Sequence, residues 1–306
     1  MARILVGTRE GLHAVGDGRV MGPRRIGWEG SPAGVTALAS AGEEGVLAVV
    51  GRREIWRSAD GEAWSHVVSI GNLEVECLGP TDIGVLVGSA GAHLAFLVDP
   101  PTPLRTVGSF DRVEGRERWY TPWGGPPAVR SIAGTGGSVF VNVHVGGIPR
   151  SRDGGETWEP TIDIDADVHE VWAGEPGVFA ACAYGLAVSR DHGETWAIED
   201  EGLRATYCRA VTVCGDTVLV SASDGPRGGH ACVYRRPLAG GRLEPCRPGL
   251  PEWFHGNIDT GCLDAVPGLV AFGTPDGRVF ASEDEGVSWH EVASGLPPIL
   301  CLLVTP

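Results

Sequence analysis

A seven-bladed β-propeller, four strands to a blade and a single domain over residues 1–306, is the architecture this sequence predicts. Three observations predict it. A turn motif recurs along the chain, its copies are spaced by whole blades, and an apolar strand near the C-terminal end finds its natural partners at the N-terminal end.

Composition points the same way. The chain holds 47 Gly and 22 Pro but 2 Met in 306 residues, a balance that suits many short strands and tight turns and opposes helix interiors. Hydrophobic residues make up 42%, enough for a sizeable core. The formal net charge of −15 disfavours nucleic acid or an anionic membrane as a partner, and no apolar run is long enough to span a bilayer. Met1–Gly7 has too short an apolar stretch for a signal peptide and reads as a strand, so a cytoplasmic location is expected. The 8 Cys include no CxxC pair. A thiolate zinc site and a disulfide framework are therefore both disfavoured, and the default role of each Cys is a small core hydrophobe.

The recurring motif is Ser151-Arg152-Asp153-Gly154-Gly155-Glu156-Thr157-Trp158, repeated over Ser189–Trp196 and Ser282–Trp289 and, shortened, over Ser58–Trp64. The Asp carboxylate can accept backbone N–H groups of its own turn, Gly permits positive φ, hydroxyls close the loop and Trp covers it. Each copy joins the third strand of a blade to the fourth. From Asp153 to Asp191 is one blade; the equal intervals Asp60 to Asp153 and Asp191 to Asp284 are each about two blades of ~40–50 residues. Each long interval thus hides a blade without a motif: Val75–Thr81, Val85–Ser89 and Leu94–Val98 supply strands for the first, and Cys208–Val213, Thr217–Ser221 and Cys232–Arg235 for the second. That accounts for six blades between Val35 and Leu296. Ile299–Val304 pairing with Arg3–Gly7, Leu12–Val15 and Arg19–Ile26 makes a seventh and removes an open edge. Six blades with an open remnant is the alternative.

In a propeller the innermost strands line a central channel. Aligning first strands gives the ring Thr36, Glu76, Arg130, His169, Arg209, Gly261 and Leu300. Aligning the ends of second strands gives Thr8, Arg52, Ser89, His144, Tyr184, Ser223 and Thr274. A channel wall is expected to be polar; the mixture of His, Arg and Glu, flanked by Tyr207, His255 and Asp259, exceeds that expectation and marks a site. Strand alternation puts Asp167 and His169 on one side, with His144 arriving from the preceding blade. His144, His169 and Asp167 then read as acid–base residues, and Arg130, Arg209, Glu76, Tyr207, His255, Asp259 and Trp123 as substrate-binding residues. The competing reading makes the histidines hydrogen-bonded wall residues and gives each Arg a salt bridge to Glu76, Glu170 or Asp259. No cofactor is firmly implied. A divalent metal on His144, His169 and either Asp167 or Asp259 is the alternative use of the same groups. The Gly-rich segment 223–230 lacks the Lys of a phosphate-binding loop and reads as a mobile rim. The loop Trp119–Gly125 is equally an aromatic platform and a packed turn.

The three full motif copies resemble the Asp-box (BNR) propellers, which include sialidases, other glycan-processing enzymes and many bacterial proteins. The resemblance implies the fold and makes the motif a peripheral structural turn. Sialidases of this kind carry three substrate-holding Arg and an Arg-Ile-Pro string; the nearest string here is Gly147-Ile148-Pro149-Arg150, and sialidase activity is not expected. Three functions follow. One is a small, anionic or polar organic ligand in the channel, with His chemistry resembling that of the streptogramin lyases. A second is a protein-binding scaffold, as in the Asp-box photosystem assembly factors. A third is a glycoside hydrolase using paired carboxylates, Asp167 and Asp259.

Overall fold

The computed structural model describes residues 3–16, 19–24, 34–98, 103–122 and 124–306. Among them, seven four-stranded antiparallel sheets form a ring. Blade 1 runs from the inside outward through Ile299–Thr305, Arg3–Thr8, Gly11–Gly16 and Arg19–Arg24. The other inner strands are Val35–Ser40 (blade 2), Val75–Thr81 (blade 3), Val129–Thr135 (blade 4), Val168–Gly174 (blade 5), Tyr207–Cys214 (blade 6) and Leu263–Val266 (blade 7). Both blades hidden in the long intervals are present, and the open six-bladed alternative is not what forms. The third strand of blade 1 ends at Arg24, and the predicted extension to Ile26 lies outside the described residues.

The ring closes through the last strand. Arg3 pairs with Thr305, Leu5 with Leu303 and Gly7 with Cys301. Gly7 is dictated by this approach: a Cβ there would lie 2.4 Å from Cys301 Sγ and 2.7 Å from the Val35 carbonyl oxygen. Between blades the core is built from alternate strand residues. Val139, Val141 and Val143 of blade 4 pack toward blade 3, while Phe140 packs toward blade 5 with Val168 and Val171. All eight Cys are buried and unpaired. Burial pushes the thiols up, to about 12 at Cys182 and Cys301, so they behave as small apolar groups.

The repeated turns close as their residue types require. Asp153 accepts from the Thr157 N–H (2.9 Å) and Ser151 Oγ (2.9 Å), and Trp158 Nε1 donates to the Gly155 carbonyl at 3.2 Å. The copies at Asp191 and Asp284 repeat both Asp contacts, and Trp289 repeats the Trp bond. Hydrogen bonds from Thr195 and Ser288 pull the Asp191 and Asp284 carboxyls down to about 2. Each turn joins a third strand to a fourth, away from the inner strands.

A second irregularity repeats at the centre. In six inner strands the register slips where the strand begins, so the strand carries an extra residue past its partner. The slips bracket Thr36, Glu76, Arg130, His169, Arg209 with Ala210, and Leu300. A bulge bends the strand and re-aims the side chain it carries. In blade 7, Gly261 (φ 71°) occupies the corresponding place ahead of Leu263–Val266.

Candidate functional site in the channel

Four of the bulged residues, Thr36, Glu76, Arg130 and Leu300, help wall a cavity of about 450 Å³ at the centre of the ring. Its lining includes Thr36, Glu76, Arg130, Glu170, Asp259 and Leu300. Charges run around it in alternation. Arg52 hydrogen-bonds Glu76, and Arg209 holds Asp259 through Nε at 2.9 Å and through Nη2 at 2.5 Å. Arg130 Nη2 stands 3.8 Å from the same Asp259 oxygen. Burial lifts the Glu76 carboxyl more than Arg52 and Arg130 lower it. At Asp259 burial is outweighed by Arg209 and Arg130, which hold the carboxyl below its usual value.

A histidine cluster stands beside this belt, where blades 4 and 5 meet. His144 follows the second strand of blade 4, and its Nε2 is 3.4 Å from Asp167 Oδ1. His169 is fully buried, with Nε2 3.7 Å from Asp167 Oδ2. The two imidazole rings are 5.7 Å apart, and Tyr207 packs on His169 at 4.7 Å. His169 Nδ1 lies 2.5 Å from the Cys208 carbonyl oxygen. That oxygen only accepts, so Nδ1 carries the proton and Nε2 presents its lone pair. Burial, reinforced by Arg209, holds His169 far below the usual imidazole range, and the ring is neutral. Burial raises the Asp167 carboxyl, but the contact with His144 brings it below its usual value, with Arg209 adding a smaller share.

The structure brings together His144, His169, Asp167 and Tyr207, and separately Glu76, Arg130, Arg209 and Asp259. Several expectations need correction. Asp167 is not a strand residue: it ends the short turn Ile164–Ala166 with φ 48° and reaches His169 from the chain just ahead of the inner strand. Asp259 is not the third member of the histidine cluster, because two arginines hold it in the cavity; Asp167 takes that place. His255 is exposed on the loop after blade 6. Trp123 lies outside the described residues, while Trp119 beside it is buried against Phe110 and Arg116, as a packed turn requires. The Gly-rich segment 223–230 is pinned to 254–257: Ser223 Oγ donates to Asn257 Oδ1 at 2.6 Å, and the Gly256 N–H to the Gly228 carbonyl at 2.8 Å. Asp167 and Asp259, the two carboxylates of the glycosidase reading, sit in different surroundings: Asp167 beside the histidines and Asp259 on Arg209.

Sequence reasoning named Glu170 only as a salt-bridge partner for the arginines and did not single out Asp264. Glu170 accepts from the Val211 N–H (2.9 Å) and the Gly261 N–H (2.8 Å), tying blades 5, 6 and 7, and burial lifts its carboxyl to about 8. Asp264 accepts from the Val304 N–H at 2.8 Å, and burial lifts it to about 6. A carboxyl raised on folding favours the folded state while both forms are protonated. That advantage is lost as pH rises from the unfolded value near 4 through the folded value near 6. Asp264→Asn keeps an acceptor for Val304 and cannot ionise. Urea melts are expected to show it more stable than the parent by on the order of 2 kcal/mol at pH 7 and equal to it at pH 4; an equal gain at both pH values would contradict the assignment.

Fold and site together define a seven-bladed propeller with a charged central cavity. No protein-family profile matches the sequence, and no curated protein is significantly similar to it. Solved structures are similar in fold. The chain superposes on the GH74 enzyme of Niastella koreensis with a TM-score of 0.59 at 16% identity, over 84% of this chain and 45% of that one. The GH74 xyloglucanase of Xanthomonas campestris gives 0.59 at 15% identity, again over 84% and 45%. YCF48, solved bound to D1 peptide, gives 0.56 at 12% identity over 84% of this chain and 81% of that one. The chain therefore spans a little under half the length of the two GH74 proteins, and at these identities the likeness is one of fold.

Proposed function

We propose that the chain is an Asp-box propeller that binds a small organic anion in its central cavity. The observation that carries this reading is Arg130. Its side chain is one-quarter exposed and lines the cavity. Arg52 and Arg209 are hydrogen-bonded to carboxylates, whereas the nearest carboxylate oxygen to Arg130 is 3.8 Å away. An open guanidinium fork at a bulge suits bidentate capture of a carboxylate or phosphate. Glu76, Asp259 and Thr260 around it select a ligand that also donates hydrogen bonds, such as a hydroxy or amino acid. The unpaired buried thiols support a cytoplasmic setting. His169, fully buried, does not reach a cavity ligand directly, which favours binding over His acid–base turnover.

The test is a thermal-shift and calorimetric screen of small carboxylates and phosphate esters. A binder is expected to raise Tm, and Arg130→Ala to weaken it by at least about tenfold, the worth of a charge-assisted pair. The unbound Tm should stay within about 2 °C, as for a group making no strong contact. Equal binding by Arg130→Ala, or no anion binding at all, removes this reading. A protein partner is the second reading, favoured by exposed Tyr184 (62%) and Ile198 (46%) beside Trp196. If Tyr184→Ser abolished capture of a partner from which Arg130→Ala was indistinguishable from parent, that reading would lead.

A further inference from the structure

We propose that His144, Asp167 and His169 form a binding site for one divalent transition-metal ion at the junction of blades 4 and 5. The donor atoms of the three residues all lie within 4.8 Å of one another. Two imidazole nitrogens and a carboxylate are the donor set that zinc, iron and their neighbours prefer over magnesium or calcium. Each imidazole faces one oxygen of the carboxylate, His144 at 3.4 Å from Oδ1 and His169 at 3.7 Å from Oδ2, and each distance is near the ~3.3 Å between donors of a tetrahedral site with bonds of about 2.0–2.1 Å.

The second, independent observation is an unpartnered lone pair. His169 is fully buried, and its Nε2 has no hydrogen-bond partner. It faces Asp167 Oδ2, which also only accepts, so the two repel unless a cation lies between them. The Nδ1 proton of His169 is fixed on the Cys208 carbonyl, the outer hydrogen bond that orients a metal-ligating imidazole. Asn142 adds to the polar pocket. Two residues before His144 on the same strand face, it is fully buried, and neither of its amide atoms has a partner. Arg209 is the nearby cation that would oppose a metal, and Asp259 neutralises it through two hydrogen bonds. Asp167, one-third exposed, is the open side of the site. Three protein ligands leave room there for water or a small oxygen ligand.

The proposal is independent of the anion reading, since none of its three ligands is a residue assigned to the anion, and the experiment contains no organic anion. Chelator-stripped protein is titrated with Zn²⁺ by calorimetry and with Co²⁺ by visible absorption. One equivalent is expected to bind, with Co²⁺ giving the d–d bands of nitrogen and oxygen coordination and Zn²⁺ raising Tm by linking two blades. Asp167→Asn tolerates the positive φ and should fold; it is expected to lose at least about tenfold in affinity, as is His144→Gln. Arg130→Ala should bind metal as the parent does. His169→Gln should abolish uptake; where that variant fails to fold, Asp167→Asn decides. Substoichiometric uptake by the parent, or unchanged uptake by Asp167→Asn, overturns the site.

Discussion

A chain ending at Pro298 is expected to lose cooperative folding altogether. The deleted strand Ile299–Thr305 is the inner strand of blade 1, and its removal leaves Arg3–Thr8 as a bare edge on the channel. Leu302 and Val304 belong to the cluster that joins blades 7 and 1, with Ile4, Val6 and Phe272, while Cys301 and Leu303 complete the cluster with Leu5 and Val35. Burying Ile299, Leu302, Leu303 and Val304 at ~1.5–3 kcal/mol each matches the whole net stability of a typical domain, about 5–15 kcal/mol. The exposed edge adds a route to aggregation. The checks are a urea melt followed by circular dichroism and size-exclusion chromatography. A truncated chain that stays monomeric and melts within about 5 °C of the full one would show that blade 1 contributes little.

That closure was legible in the sequence because an apolar strand with no local partner must find a distant one. The channel ring was legible for a similar reason. Thr36, Glu76, Arg130, His169, Arg209 and Leu300 hold equivalent places in successive repeats, and each sits at a register slip; Thr36, Glu76, Arg130 and Leu300 line the cavity, while His169 is fully buried. The slip also sets the place of Glu170. Strict alternation sends the residue after His169 away from the channel, but a bulge carries two adjacent residues past one partner. A signal was nonetheless present. The residues after the other ring positions are Ala37, Cys77, Ser131, Ala210, Cys262 and Cys301, all small, and Glu170 alone is large and ionisable. Asp167 and Asp259 could not be apportioned between the two clusters from sequence. That depends on which loop turns through a left-handed residue, and Asp167 does so without a glycine to announce it.

Trp289→Ala is expected to destabilise the protein by ~3–5 kcal/mol, the cost of truncating a buried aromatic. The motif predicts equal Trp roles in every copy, yet the environments differ. Trp289 is 1% exposed, packs edge-on against Phe272 at 4.9 Å and donates Nε1 to the Gly286 carbonyl at 3.1 Å. Phe272 stacks in turn on Phe280 at 5.1 Å, so the vacated volume borders a rigid aromatic cluster that cannot easily collapse into it. Trp196 occupies the same motif position but is half-buried, and its Nε1 has no partner. It covers the outer surface beside exposed Ile198, where water replaces the lost ring. Trp196→Ala should therefore cost about 1 kcal/mol, in the range of a partly exposed side chain. Parallel urea melts of the two variants measure the difference directly. Equal losses would mean that each Trp acts through its own turn alone; a loss at least about twofold larger for Trp289 would mean that the same eight-residue motif stabilises the ring through whatever core lies beneath it.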